Sequence, residues 1–160
     1  DRLGLTLNAQ KTRIVDVRRE PFDFLGHRFA VQPSKRTGEL KTYYYPAPKA
    51  MASVKKKIRE VVRVGQHRDL PVLIKEQVNP ILRGWGNYFK TGNSRMYFKS
   101  IANYSTYTLC IMLRKKHKKR TKGWRDHPPS WFYDFHGLFR LNSLVVTGED
   151  TSRYARLVAP

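Results

Sequence analysis

Metal-assisted phosphoryl transfer needs two acidic side chains that converge on one Mg²⁺, and this chain is poor in acids. Asp16, Asp23, Glu39, Glu60, Asp69 and Glu76 are dispersed, and Glu149 and Asp150 fall in a polar loop near the end, so no active-site carboxylate constellation is legible. The five histidines (His27, His67, His117, His127 and His136) have no cysteine partners at zinc spacing, and no metal site is expected. Cys110 is the single thiol and lies in an apolar helical pattern. It builds no disulfide framework, and the expected compartment is a reducing cytoplasm of the bacterial type. There is neither a phosphate-cradling glycine loop nor a nucleophile elbow.

Cations, by contrast, abound. The 160 residues hold 32 Lys and Arg against 12 Asp and Glu, a net charge of +20. A charge of that size repels itself unless a polyanion is present. With 40% hydrophobic and 12% aromatic residues, the chain is too apolar for a disordered basic tail. A folded, strongly basic domain is the footprint of nucleic-acid binding. An anionic membrane surface is the competing partner, but no apolar run approaches a spanning helix and no signal peptide is visible.

The cations come in groups. Lys55, Lys56, Lys57, Arg59 and Arg63 form one, and Arg114, Lys115, Lys116, Lys118, Lys119 and Arg120 fill six of seven positions in another. Lys122 and Arg125 follow, and Arg83 lies between the groups. One such run at a helix end is ordinary, because cations suit a helix C-terminus. Several in one small domain favour phosphate contact, which positions a nucleic acid without reading its sequence. Tyr43, Tyr44, Tyr45 and Tyr107 are candidates to stack on bases, although strand alternation buries either Tyr44 or the pair Tyr43 and Tyr45.

These groups must be held by elements. Residues 14–17 read as a short strand after a polar turn, and 22–31 as a second strand with a bulge or close approach at Gly26. Leu40 to Tyr45 is a third, forming a hairpin with the second across a glycine-containing loop. From Pro48 the period becomes helical. Met51, Val54, Ile58, Val61 and Val62 mark one face, with a basic back. Another helix begins at Pro71 and continues or restarts at Asn79-Pro80, where Asn79 can cap. There Ile81, Leu82, Trp85, Tyr88 and Phe89 form one apolar stripe. Trp85, Tyr88 and Phe89 are the expected structural core, and Gly84 and Gly86 imply that something approaches the backbone. Residues 91–94 read as a stop and a new cap. A longer helix follows, with Tyr97, Phe98, Ile101, Tyr104, Thr108, Ile111 and Met112 on its apolar face. Three helices with short links imply a bundle. The aromatic residues from 123 to 142 are expected to wrap back onto it, and Leu144 to Val146 read as a strand. The fold class is therefore α+β.

Gly4-Leu5-Thr6-Leu7-Asn8, Lys11-Thr12-Arg13 and Phe24-Leu25-Gly26 together resemble the end of the palm of a group II intron reverse transcriptase. Asn79-Pro80, Arg83-Gly84-Trp85 and Asn87-Tyr88-Phe89 resemble the thumb, or maturase X, domain of the same proteins. The resemblance implies three parts: a palm edge with primer-grip hairpin over 1–46, a three-helix thumb over 47–122, and an aromatic extension over 123–160. It also implies that Lys11 lies on the pyrophosphate side of the incoming triphosphate, and that Phe24, Leu25 and Gly26 hold the primer end. The partners implied are group II intron RNA and the template–primer duplex, with DNA as a further ligand. The Tyr-Ala-Asp-Asp turn of that family is missing from this sequence. Mg²⁺ is therefore a cofactor of the parent polymerase, and the piece alone is expected to bind RNA without polymerising. Its opening Asp1-Arg2-Leu3, without an initiator methionine, reads as a piece of something longer. The rivals are a free-standing basic RNA-binding module unrelated to polymerases, an enzyme whose acids meet only in three dimensions, and a protein-docking scaffold. Oligomeric state is not legible.

Overall fold

The computed structural model describes residues 15–34, 36–118 and 123–145. A three-stranded antiparallel sheet precedes a group of helices, an α+β arrangement. The strands are β1 (Phe22–Phe24), β2 (His27–Pro33) and β3 (Leu40–Pro46), paired in chain order. Residues 22–31 are thus not one bulged strand. Leu25 and Gly26 form a two-residue turn between Phe24 and His27, with φ of +46° and +77°. Positive φ at both positions is the pattern of a hairpin turn whose twist matches its strands. Across that hairpin Asp23 faces Arg28, and the guanidinium donates to both carboxylate oxygens at 2.7 and 3.1 Å.

Residues 15–17 do not form the expected strand, and residue 14 lies outside the described residues. Instead the Asp16 carboxylate accepts the Arg18 N–H, and its carbonyl accepts those of Arg19 and Glu20. An aspartate that binds its own backbone two residues on turns the chain.

The helices are α1 (Pro48–Val64), α2 (Leu70–Leu73), α3 (Asn79–Phe89), α4 (Arg95–Lys116) and α5 (Pro129–Asp134). A π-helical turn, Ile74–Val78, joins α2 to α3 without leaving the helical region of backbone space. Pro80 explains the extra residue. Proline lacks an N–H and its ring crowds the carbonyl four residues earlier, and a π turn relieves both. Asn79 therefore caps nothing. It is buried within the helical run, where its Nδ2 donates to the Gly137 carbonyl at 2.9 Å and its Oδ1 accepts the Phe139 N–H at 2.8 Å.

One apolar core joins α1, the α2–α3 run, α4 and the C-terminal segment. Val54, Ile58 and Val62 form the inward edge of α1. On α4 the buried set is wider than the expected stripe and includes Ala102, Ser105, Thr106, Leu109, Cys110 and Leu113. That helix packs against α1 on one side and the C-terminal segment on the other. Burial pushes the Cys110 thiol up to about 11, which leaves it protonated and inert. Tyr88 is not core: it is exposed, while Phe89 is buried and Trp85 half-buried. Ser94 does not cap α4 with its side chain; its hydroxyl donates back to the Phe89 carbonyl at 2.7 Å and closes the end of α3.

The C-terminal segment does wrap back, with Phe132, Leu138 and Leu141 buried. Leu144 ends a 3₁₀ turn (Leu141–Leu144) and is not in a strand, and Val146 lies outside the described residues. This turn is what approaches the α3 backbone. A Cβ at Gly86 would lie 2.7 Å from methyl carbons of both Leu141 and Leu144, whereas one at Gly84 meets nothing within 4 Å. The two glycines should therefore respond oppositely to alanine. Gly86→Ala overpacks the contact and is expected to cost about 1–3 kcal/mol. Gly84→Ala removes only the helix penalty and should stabilise by about 0.5–1 kcal/mol. Urea unfolding of both variants checks the contrast.

Candidate nucleic-acid interface

Helical spacing sets Lys55, Arg59 and Arg63 one above another on α1. The opposing wall is α4. Lys55 Nζ lies 5.5 Å from the ring centroid of Tyr104, and Arg59 Nε donates to the Tyr104 hydroxyl at 3.1 Å. Tyr104, expected on the apolar face of α4, does pack half-buried against the core, and it also stands between two cations. Toward the helix ends a groove of about 200 Å³ opens between α1 and α4. Val62, Ile111 and Met112 give it an apolar floor, and Arg59, Arg63 and Lys115 stand at its rim. None of these three cations has an acidic partner among the described residues. The groove thus joins members of two basic groups far apart in sequence.

The remaining cations divide. Lys56 is exposed, and Lys57 faces the other side of α1, toward α3. Arg83 does not join the α1/α4 face; its guanidinium lies 4.9 Å from the Phe139 ring centroid. Arg114 is exposed on the last turn of α4, and Lys116 Nζ donates to the Arg68 carbonyl at 2.7 Å. Lys118 and Arg125 are exposed, whereas Lys119, Arg120 and Lys122 lie outside the described residues. Tyr107 and Trp124 are exposed and meet edge to face with centroids 6.4 Å apart.

The tyrosine triplet divides less cleanly than strand alternation implies, because both sheet faces meet the helices. Tyr43, Tyr44 and Tyr45 are all half-buried. The Tyr44 hydroxyl donates to the Thr91 carbonyl, and Tyr45 stacks on Tyr97 with centroids 5.1 Å apart.

A second surface surrounds the hairpin turn. Phe24 is 59% and Leu25 70% exposed, so this tip offers apolar side chains to a partner. The turn is nonetheless fixed. The Tyr88 hydroxyl donates to the Leu25 carbonyl, and the Ala47 N–H donates to that of Gly26. Beside it a groove of about 460 Å³ runs between α1 and α3, lined by residues that include Ser53, Lys57, Gly84, Trp85 and Tyr88. The Trp85 indole N–H is buried without a partner among the described residues. His27 sits under the turn against Phe89 and Tyr88, with centroids 4.6 and 5.3 Å away. Burial lowers its pKa, offset in part by a bond to the Leu25 backbone. Burial also lowers that of His136, helped by the nearby His127.

Sequence reasoning missed Tyr104 as the residue that organises the basic face, because its two cations come from another helix and no spacing along α4 signals them. It also missed the pairing of Tyr107 with Trp124. Among the described residues, no three His, Cys, Asp or Glu side chains come together, and no helix is long and apolar enough to cross a membrane.

The geometry is that of an α+β protein whose helices gather cations, without acidic partners among the described residues, beside a shallow apolar groove. Residues 51–128 match the family model of the group II intron, maturase-specific domain, a span that runs from α1 to just before α5. Over that span the chain is similar to the maturase-specific domain of group II introns. No curated protein matches it.

Two outcomes follow from the turn. A leucine at positive φ is strained by roughly 1–2 kcal/mol, whereas asparagine tolerates the left-handed region. Leu25→Asn should therefore stabilise the fold by about 1 kcal/mol in urea unfolding while removing an exposed apolar contact. The histidines set a pH dependence. Because folding lowers the pKa of His27 and His136, the unfolded chain binds more protons below the ordinary value of 6.5. Stability should be full above that value and fall as pH drops below it. His27→Phe should flatten this decline in thermal melts.

Proposed function

We propose that this chain is the RNA-binding thumb, or maturase X, portion of a group II intron reverse transcriptase, joined to the edge of its palm. In this reading residues 1–46 are the palm edge and primer-grip hairpin, 47–122 the thumb, and 123–160 an aromatic C-terminal extension. The observation that carries the reading is the meeting of Arg59 and Arg63 from α1 with Lys115 from α4 around one groove, with no acidic partner among the described residues. The family match over 51–128 supports RNA of the group II intron class as the ligand. Phosphate is the group this face suits. Arginine forks match two phosphate oxygens, and a stripe of cations follows a backbone.

The hairpin tip supports the other half of the proposal. Phe24, Leu25 and Gly26 form a rigid, exposed turn tied to both helical walls, a shape suited to bracing the end of a template–primer duplex. Lys11, in its proposed place beside the incoming triphosphate, lies outside the described residues. The parent protein would copy RNA into DNA with Mg²⁺ and assist intron splicing. The described residues offer no acidic cradle for that metal. The chain alone binds RNA and does not polymerise.

A mobility-shift titration of structured RNA across salt tests this. Affinity should fall steeply with salt, and the slope should shrink by about one unit for each of Arg59→Gln, Arg63→Gln and Lys115→Gln. Absent binding, or affinity indifferent to salt, would overturn the proposal.

A further inference from the structure

The α1/α4 face differs from a plain phosphate track, because aromatic and apolar groups are interleaved with its cations. On α4, Tyr104, Tyr107, Ile111 and Lys115 follow one another at steps of three and four residues, so they share a face. The Ile111 and Met112 floor of the groove lies directly between the Arg59, Arg63 and Lys115 rim charges. Beside it the exposed Tyr107–Trp124 pair presents ring surface to solvent. Lys55 and Arg59 occupy one ring face and the hydroxyl of Tyr104, which makes that tyrosine a support for the cations more than a platform.

A continuous duplex offers a protein phosphates and groove edges and keeps its base faces stacked on each other. It has no use for a small apolar floor or for exposed rings. Unpaired nucleotides do: each base has a free π-face, and its phosphate lies within a nucleotide's reach of a cation. We infer that the α1/α4 face binds unpaired nucleotides of an RNA loop, with a base on the Tyr107–Trp124 pair or the groove floor and the adjoining phosphates on Arg59, Arg63 and Lys115. This rests on the RNA-binding reading above but is separable from it, since that reading needs only the charges.

The test compares the full 160-residue chain on a stem-loop RNA and on a blunt duplex of equal nucleotide count, at fixed salt. The stem-loop should bind about tenfold tighter or more, the gain of stacking one or two bases. Tyr107→Ala and Trp124→Ala change exposed side chains, and circular dichroism checks that both variants fold. Each should lose about tenfold on the stem-loop while leaving duplex affinity and the salt slope unchanged. Trp124→Phe, which keeps a ring, should retain most of the stem-loop preference. Equal affinity for the two RNAs, or equal losses on both in the alanine variants, overturns this inference and leaves the RNA-binding reading intact. No binding to either RNA overturns the reading beneath it.

Discussion

The Asn79 side chain fixes which surface of this protein is left free. Its amide sits inside a helical run and pairs with the backbone at Gly137 and Phe139, much as a neighbouring strand would. A buried amide left without partners costs more than the bonds themselves return, so the C-terminal segment is held where it satisfies both ends. From there Leu141 and Leu144 close over Gly86, and Phe132 and Leu138 join the core. One long side of α4 is covered as a result. The groove between α4 and α1 remains open, and Arg59, Arg63 and Lys115 line it.

A second joint ties the sheet to the helices. The carbonyls of Leu25 and Gly26 each accept a bond from a different helical element, one from Tyr88 on α3 and one from Ala47 at the start of α1. Asn93 adds another tie, accepting the Tyr44 N–H and donating its own to the Tyr44 carbonyl on the free edge of β3. An edge so occupied cannot pair with a foreign strand at that point. The exposed tip of Phe24 and Leu25 is therefore carried on a rigid base, and α1 is the wall common to both grooves. Its residues alternate between them, Lys57 toward α3 and Arg59 and Arg63 toward α4.

The helices were legible because their apolar residues recur at helical spacing, and so was the β2–β3 hairpin. What escaped was two-sided or long-range. The stripe read along α4 is narrower than its buried surface because the helix is covered on two sides, and periodicity reports only one. Asn79 before Pro80 has the residue types of a helix start, yet the π turn carries the helix through that signal and frees the amide for tertiary work. Gly26 reads as a bulge or a close backbone approach because the sequence from Phe22 to Val31 keeps strand-forming residues on both sides of it. Leu25 at positive φ gives no sign of a turn, since leucine is not a turn residue. In the candidate site the basic groups were visible, but their division was not. Contiguous lysines on a helix point in different directions, and only the partner helix decides which of them meet.

The distribution of acids completes the argument for a ligand. Asp16, Asp23, Glu39, Glu76 and Asp134 each pair with an arginine or lysine, and none of those cations is one of the groove's three. Exposed pairs of this kind add little to stability, so the core, not the charges, holds the fold. A strong net positive charge destabilises a compact chain through self-repulsion, and cations gathered on one face without acidic partners among the described residues concentrate that cost locally. A polyanion laid along α1 and α4 removes it by supplying the missing counter-charge. Under the proposed function, RNA held there stabilises the protein in turn.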